Sequence, residues 1–142
     1  TKKGETKVIM FELNWLAVIV ATIVNMFIGA MWYGPLFGKP WMKELGLSME
    51  DIQSGPMVQP YLIAVLNSFL MAFVLANVIG WAGVTGIAGG VLIGLMMWVG
   101  FTGFTFAANH AFEDRSLKLW LINSCTYLVG LLVMGGMLAI WQ

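Results

Sequence analysis

Tyrosine and cysteine aside, His110 is the one ionisable side chain that falls inside a long apolar run of this sequence. Such a group is a functional candidate by default, because hydrocarbon makes its charge costly. Three kinds of imidazole chemistry fit the position. His110 and Glu113, at i and i+3, share a helix face and could hold a metal, yet two ligands are too few for a closed zinc site. His110 could ligate a haem or chlorophyll-type pigment, although Phe106 fills the preceding turn, where a small residue would ease a macrocycle's approach. It could also pass protons, a common task of imidazole. Against these stands a neutral histidine, hydrogen-bonded or reaching headgroup water, since Glu113 ends the apolar run within a turn. That plainer reading is preferred.

The asparagines are the richer signal. Asn25, Asn67, Asn77, Asn109 and Asn123 are spread over all four apolar runs, joined by Ser68, Thr102, Thr105, Ser124 and Thr126. An amide in hydrocarbon demands a partner, so these side chains should face other helices. Helical spacing puts Thr102, Thr105 and Asn109 on one face of the third run, and Asn123, Tyr127 and Gly130 on one face of the fourth. They read either as glue, each interhelical bond contributing about 0.6 kcal/mol, or as a polar path lined by Asn25, Asn67, Thr105, Asn109 and His110. No carboxylate stands among them to couple to protons or sodium, as small four-helix multidrug exporters require, and Glu12 lies at the edge of the first run. Glue is favoured. Catalysis finds less support still: no serine, cysteine or carboxylate has a base at recognisable spacing. One cysteine, Cys125, excludes an intrachain disulfide and a multi-cysteine metal site. With the 11 methionines it reads as packing.

The elements that position these residues follow from composition. Sixty per cent of the chain is hydrophobic and 10% charged, against roughly 25% charged in a soluble domain. The mean hydropathy is +0.87. A bilayer core needs about 20 apolar residues per helix, and Leu13–Tyr33, Pro60–Gly80, Ile87–Ala111 and Leu119–Trp141 each provide them. Residues 1–142 therefore form one integral membrane domain, all-α, a four-transmembrane-helix bundle. The first run is too long for a signal-peptide core and ends in Trp32-Tyr33-Gly34-Pro35 rather than small residues, so it is expected to remain. A net charge of zero argues against nucleic acid.

Span one should stop at Gly34-Pro35, because the residue before proline avoids helical geometry. Pro40–Leu45 then reads as a short interfacial helix between spans one and two, and Ser48 as the cap of a further turn. The last two loops are too short for anything but antiparallel hairpins. Gly86, Gly90 and Gly94 on span three, like Gly135 and Ala139 on span four, follow the small-xxx-small pattern of close helix packing. On span three this suggests a homo-oligomer or a partner membrane subunit. Alternating spans place Trp15, Trp81 and Trp141 at one membrane face, and Trp32, Tyr33, Trp41, Tyr61 and Trp120 at the other, as two aromatic belts. Lys2, Lys3 and Lys7 oppose Lys39, Lys43, Arg115 and Lys118, which sets no orientation. Lys39, Arg115 and Lys118 beside Trp41 could grip anionic lipid headgroups; ordinary loop charge, partly neutralised by nearby acids, is the simpler account.

Asn14-Trp15-Leu16-Ala17-Val18, then Trp32-Tyr33-Gly34-Pro35-Leu36-Phe37-Gly38-Lys39 with Trp41-Met42, resembles the opening of a bacterial membrane family catalogued as domain-of-unknown-function family 1761. Phe112-Glu113, Arg115, Leu117-Lys118-Leu119 and Leu121-Ile122-Asn123 with Tyr127 resemble its second half. The resemblance implies a small four-helix integral membrane protein and carries no activity, cofactor or catalytic residue with it. The expectation is a non-enzymatic, multi-pass protein of the cell membrane, in contact with lipid and needing no cofactor. It would act as a structural or accessory subunit through helix–helix contacts. The alternatives are a small transporter or channel for a neutral, weakly polar solute, and a haem- or pigment-binding subunit.

Overall fold

The computed structural model describes residues 12–142; Lys2, Lys3 and Lys7, which bear on orientation, lie outside them. Helix α1 (Trp15–Met31) starts where the Asn14 side chain accepts the Ala17 amide at 3.1 Å, which satisfies one orphan N–H of the first turn. Contrary to the sequence expectation, Pro35 does not end this span. The chain continues through a π-helical turn, Trp32–Leu36, in which the Phe37 amide bonds Trp32 O at 2.7 Å. Proline has no N–H to lose, and the wider turn keeps its ring off the carbonyl that an α-helix would bring against it.

Two short helices follow, α2 (Gly38–Leu45) and α3 (Met49–Ser54). Gly46 ends α2 in the left-handed region, φ 66°, as C-cap glycines do. Ser48 and Asp51 cap each other reciprocally at the start of α3, so the expected capped turn is a helix of its own. Then come α4 (Val58–Ala82), with Pro60 in the first turn where a missing N–H costs nothing, and α5 (Ile87–Met97). A second π-helical turn (Trp98–Gly103) leads into α6 (Phe104–Phe112). Ser116 caps α7 (Leu117–Ile140) through the Leu119 amide. No strand occurs among the described residues.

Four stretches are long and apolar enough to cross a membrane: Trp15–Leu36, Val58–Ala82, Ile87–Phe112 and Leu117–Ile140. They are not equivalent. Half of the most apolar window of α7 is buried, against 11% in the third stretch. Helix α7 is the axis, with α1 and α4 on one side and α5, the second π turn and α6 on the other. At the α5–α7 contact a Cβ on Gly90 would overlap Gly135 O and come within 2.6 Å of Ala139 Cβ, while one on Gly94 would overlap Leu131 O. Backbone meets backbone here, as small-xxx-small packing allows. Gly90 and Gly94 therefore serve a contact inside the chain. Gly86, placed on the same stripe by spacing, is the N-cap of α5 and faces open space. At the other side Ala17, Val18 and Ala21 pack with Ala72, Leu75 and Ile79 in the core, and Trp15 stacks on Phe73 with ring centroids 5.9 Å apart.

Candidate binding groove

Small residues close α1 onto α4 at the end of Trp15 and Phe73, and Asn25 and Ser68 mark the last tight contact. Asn25 Nδ2 donates to Ser68 Oγ at 2.9 Å, and Ser68 Oγ to Met26 Sδ at 3.3 Å. Beyond this latch the two helices part, leaving a cavity of about 930 Å³ over α7. Its walls include Gly29 and Tyr33 from span one and Ala64 and Asn67 from α4; Thr126 and Tyr127 form the floor. It extends to Gln59 and Tyr61 at the start of α4. Nine residues separate Gln59 from Ser68, so the groove is roughly 13 Å long, running from mid-span to the end where α2 and α3 lie. The lining residues are uncharged throughout. A Cβ on Gly29 or Gly34 would meet nothing within 4 Å.

Hydrogen-bonding capacity in this groove is left over. Asn67 Nδ2 has Met71 Sδ as its partner at 3.5 Å, and a thioether is a weak acceptor. Asn67 Oδ1, the Thr126 hydroxyl and the Tyr127 hydroxyl make no hydrogen bond with another described residue. Thr126 and Asn25 are nonetheless buried, at 7% and 9% exposure. Asn25 Oδ1 sits over Gly130, where any Cβ would overlap it.

His110 is buried and does not line the groove. Its Nδ1 is 2.9 Å from Phe106 O. A carbonyl only accepts, so Nδ1 carries the proton and Nε2 accepts from Asn123 Nδ2 at 3.4 Å. Asn123 Oδ1 in turn accepts from the Tyr33 hydroxyl at 3.0 Å. The chain of bonds joins spans one, four and three and gives both ring nitrogens a partner within the protein. A haem or pigment would have to displace Asn123 to reach Nε2. The metal pairing with Glu113 is not assembled either, since Glu113 pairs with Arg115. Among the described residues no three of His, Cys, Asp and Glu gather in one place.

Of the expected polar face, Asn25 and Asn67 line the groove and Asn123 joins the histidine chain, whereas Thr105 and Asn109 are exposed on the outside of the bundle. Thr105 and Asn109 do share a face, both lying in α6 beyond the second π turn; the inward placement rested on polarity, which does not say which way that face turns. Sequence reasoning also missed three indole ties. Trp32 and Trp98 donate to Ile122 O and Ser124 O of α7, both at 2.8 Å, and Trp120 of α7 donates to Gly103 O at 2.9 Å. Trp32 and Trp120 had the look of belt residues. Gly103 is required because a Cβ there would lie 2.5 Å from the Trp98 ring.

On the face of the short helices, Glu44 accepts from the Ser116 hydroxyl and lies 4.0 Å from Lys118 Nζ, fixing α2 to the start of α7. Lys118 and Arg115 thus have carboxylate neighbours. Lys39 is exposed, and Trp41 meets Tyr33 edge-on at 5.4 Å. The amide and then the hydroxyl of Ser48, both bonding Asp51, hold that carboxyl below its ordinary pKa.

A bundle of four long apolar spans, three of them packed about the fourth, with a groove carrying a few polar groups on one side, defines a small all-α membrane protein. The chain belongs to the family described as proteins of unknown function, DUF1761, whose model matches residues 16–139. No curated protein and no solved structure matches it.

Proposed function

We propose that this is a non-enzymatic, multi-pass protein of the cell membrane that binds and carries an uncharged, weakly polar solute in the groove between α1, α4 and α7. The observation that supports this is the 930 Å³ cavity, whose polar lining is uncharged and incompletely hydrogen-bonded near mid-span. Pockets of about 300–1,000 Å³ with a few placed polar groups suit small molecules. The accessory-subunit reading drew on the glycine stripe and the amide faces, and of these the Gly90 and Gly94 part is taken up by the contact with α7. Lipid is the partner that the outer faces need.

Native mass spectrometry of the chain extracted gently from its own membrane tests the reading. The expected result is a non-covalent neutral ligand on the wild-type chain that is lost when Ala64→Trp fills the groove. A bare chain in both cases, or a mass that survives Ala64→Trp unchanged, contradicts it.

A further inference from the structure

We infer that the occupant of the groove is a neutral, single-chain amphiphile that enters sideways from the bilayer, its uncharged hydroxylated head against Asn67, Thr126 and Tyr127. This rests on the reading of the groove as a binding site and names the class of molecule it takes.

Three features of the groove converge on that class. The first is the unmet hydrogen bonding. Asn67 Oδ1, the Thr126 hydroxyl and the Tyr127 hydroxyl have no partner among the described residues, and the Asn67 amide nitrogen has only a thioether. In hydrocarbon each unmet polar group is costly, so a site that clusters three of them beside a weakly paired amide fits a head that both donates and accepts. An alcohol or glycerol ester does so.

The second is charge. With no Lys, Arg, Asp, Glu or His among the lining residues, an ionic head would be buried without a counter-charge. Phosphate, ammonium and carboxylate heads are thereby disfavoured. The third is the wall. Between the polar floor and Gln59 the groove is bounded by Gly29, Ala30, Ile63 and Ala64. These give a smooth apolar surface for methylene groups, with Tyr33 and Tyr61 nearer the mouth. Ile63 lines the groove and is also 58% exposed, so the cavity opens to the outside of the bundle below the end of the span. A hydrocarbon chain can therefore leave between Ala30 and Ile63 into the lipid while its head stays at Asn67. A freely water-soluble solute would gain nothing from such an opening.

The test titrates the full chain in phosphatidylcholine nanodiscs with 1-dodecanoylglycerol. Glycerol and dodecyltrimethylammonium serve as companion probes, and retention is read by native mass spectrometry. Wild-type chain should retain dodecanoylglycerol and neither companion. Asn67→Leu should weaken retention about tenfold. Ala64→Trp should abolish it, as should Gly29→Leu on the opposite wall, so that misfolding of one blocking variant does not decide the outcome. Retention of glycerol alone would overturn the amphiphile while leaving a solute site in place. Equal retention of the cationic probe, indifferent to both blocking variants, would overturn it as unspecific lipid contact. Failure to retain any of the three probes overturns the amphiphile, and the solute site itself then stands or falls on the extraction experiment.

Discussion

The two sides of α7 use the same small residues to opposite ends. Against α5, glycine faces glycine, and the backbones touch at Gly90–Gly135 and Gly94–Leu131. On the side of α1 and α4, beyond the contact of Asn25 with Gly130, glycine and alanine face a cavity. Gly29, Gly34 and Ala64 line empty space, because the Asn25–Ser68 latch is the last contact before the helices part. A small residue in a membrane helix thus has no fixed meaning. What decides it is whether a partner helix follows it along its length, and the π turn and Pro35 at the end of span one accompany the divergence from α4. One side of the molecule is a closed seam and the other an open groove.

Substitutions should separate the two sides. The largest effect is expected at the seam: Gly94→Leu must push Leu131 O away, at a cost of about 3 kcal/mol as for severe overpacking, read from unfolding in mixed micelles. Gly29→Ala in the groove should be neutral or stabilising by about 0.5–1 kcal/mol, the helix-propensity gain of alanine. Equal destabilisation by the two changes would erase the distinction. Next is the latch. Asn25→Leu removes the bond to Ser68 and crowds Gly130, and should cost about 1–2 kcal/mol. Trp98→Phe deletes one indole tie to α7 and should cost about 1 kcal/mol. The smallest effect lies outside the spans. The depressed pKa of Asp51 means that its contribution to α3 is present above the ordinary aspartate value and is lost as pH falls through the folded value. Amide exchange in Met49–Ser54 should therefore quicken only in acid, with the seam unaffected.

The sequence makes the spans legible because bilayer thickness forces a run of apolar residues that no other environment asks for. Ser48 is legible as a cap because a hydroxyl ahead of a first turn has one obvious use. The stripe of Gly90 and Gly94 is visible, yet its partner is not, since spacing alone cannot say whether the facing helix belongs to the same chain. Thr105 and Asn109 share a face as their spacing says, but polarity alone does not tell that this face turns away from the bundle. Asn25 and Asn67 stand out as amides in hydrocarbon. That Tyr33, Thr126 and Tyr127 join them depends on the divergence of α1 from α4, a tertiary property. The indole ties were hidden for a similar reason, because a tryptophan near a span end suits an aromatic belt equally well.

The most direct test of the open side is chemical access to Asn67. In a Cys125→Ser background, the thiol introduced by Asn67→Cys should react in native membrane vesicles with a small uncharged maleimide, and adding Ala64→Trp should stop the reaction. A thiol that stays unreactive in both, or reacts equally whether or not Ala64 is replaced, would contradict the groove.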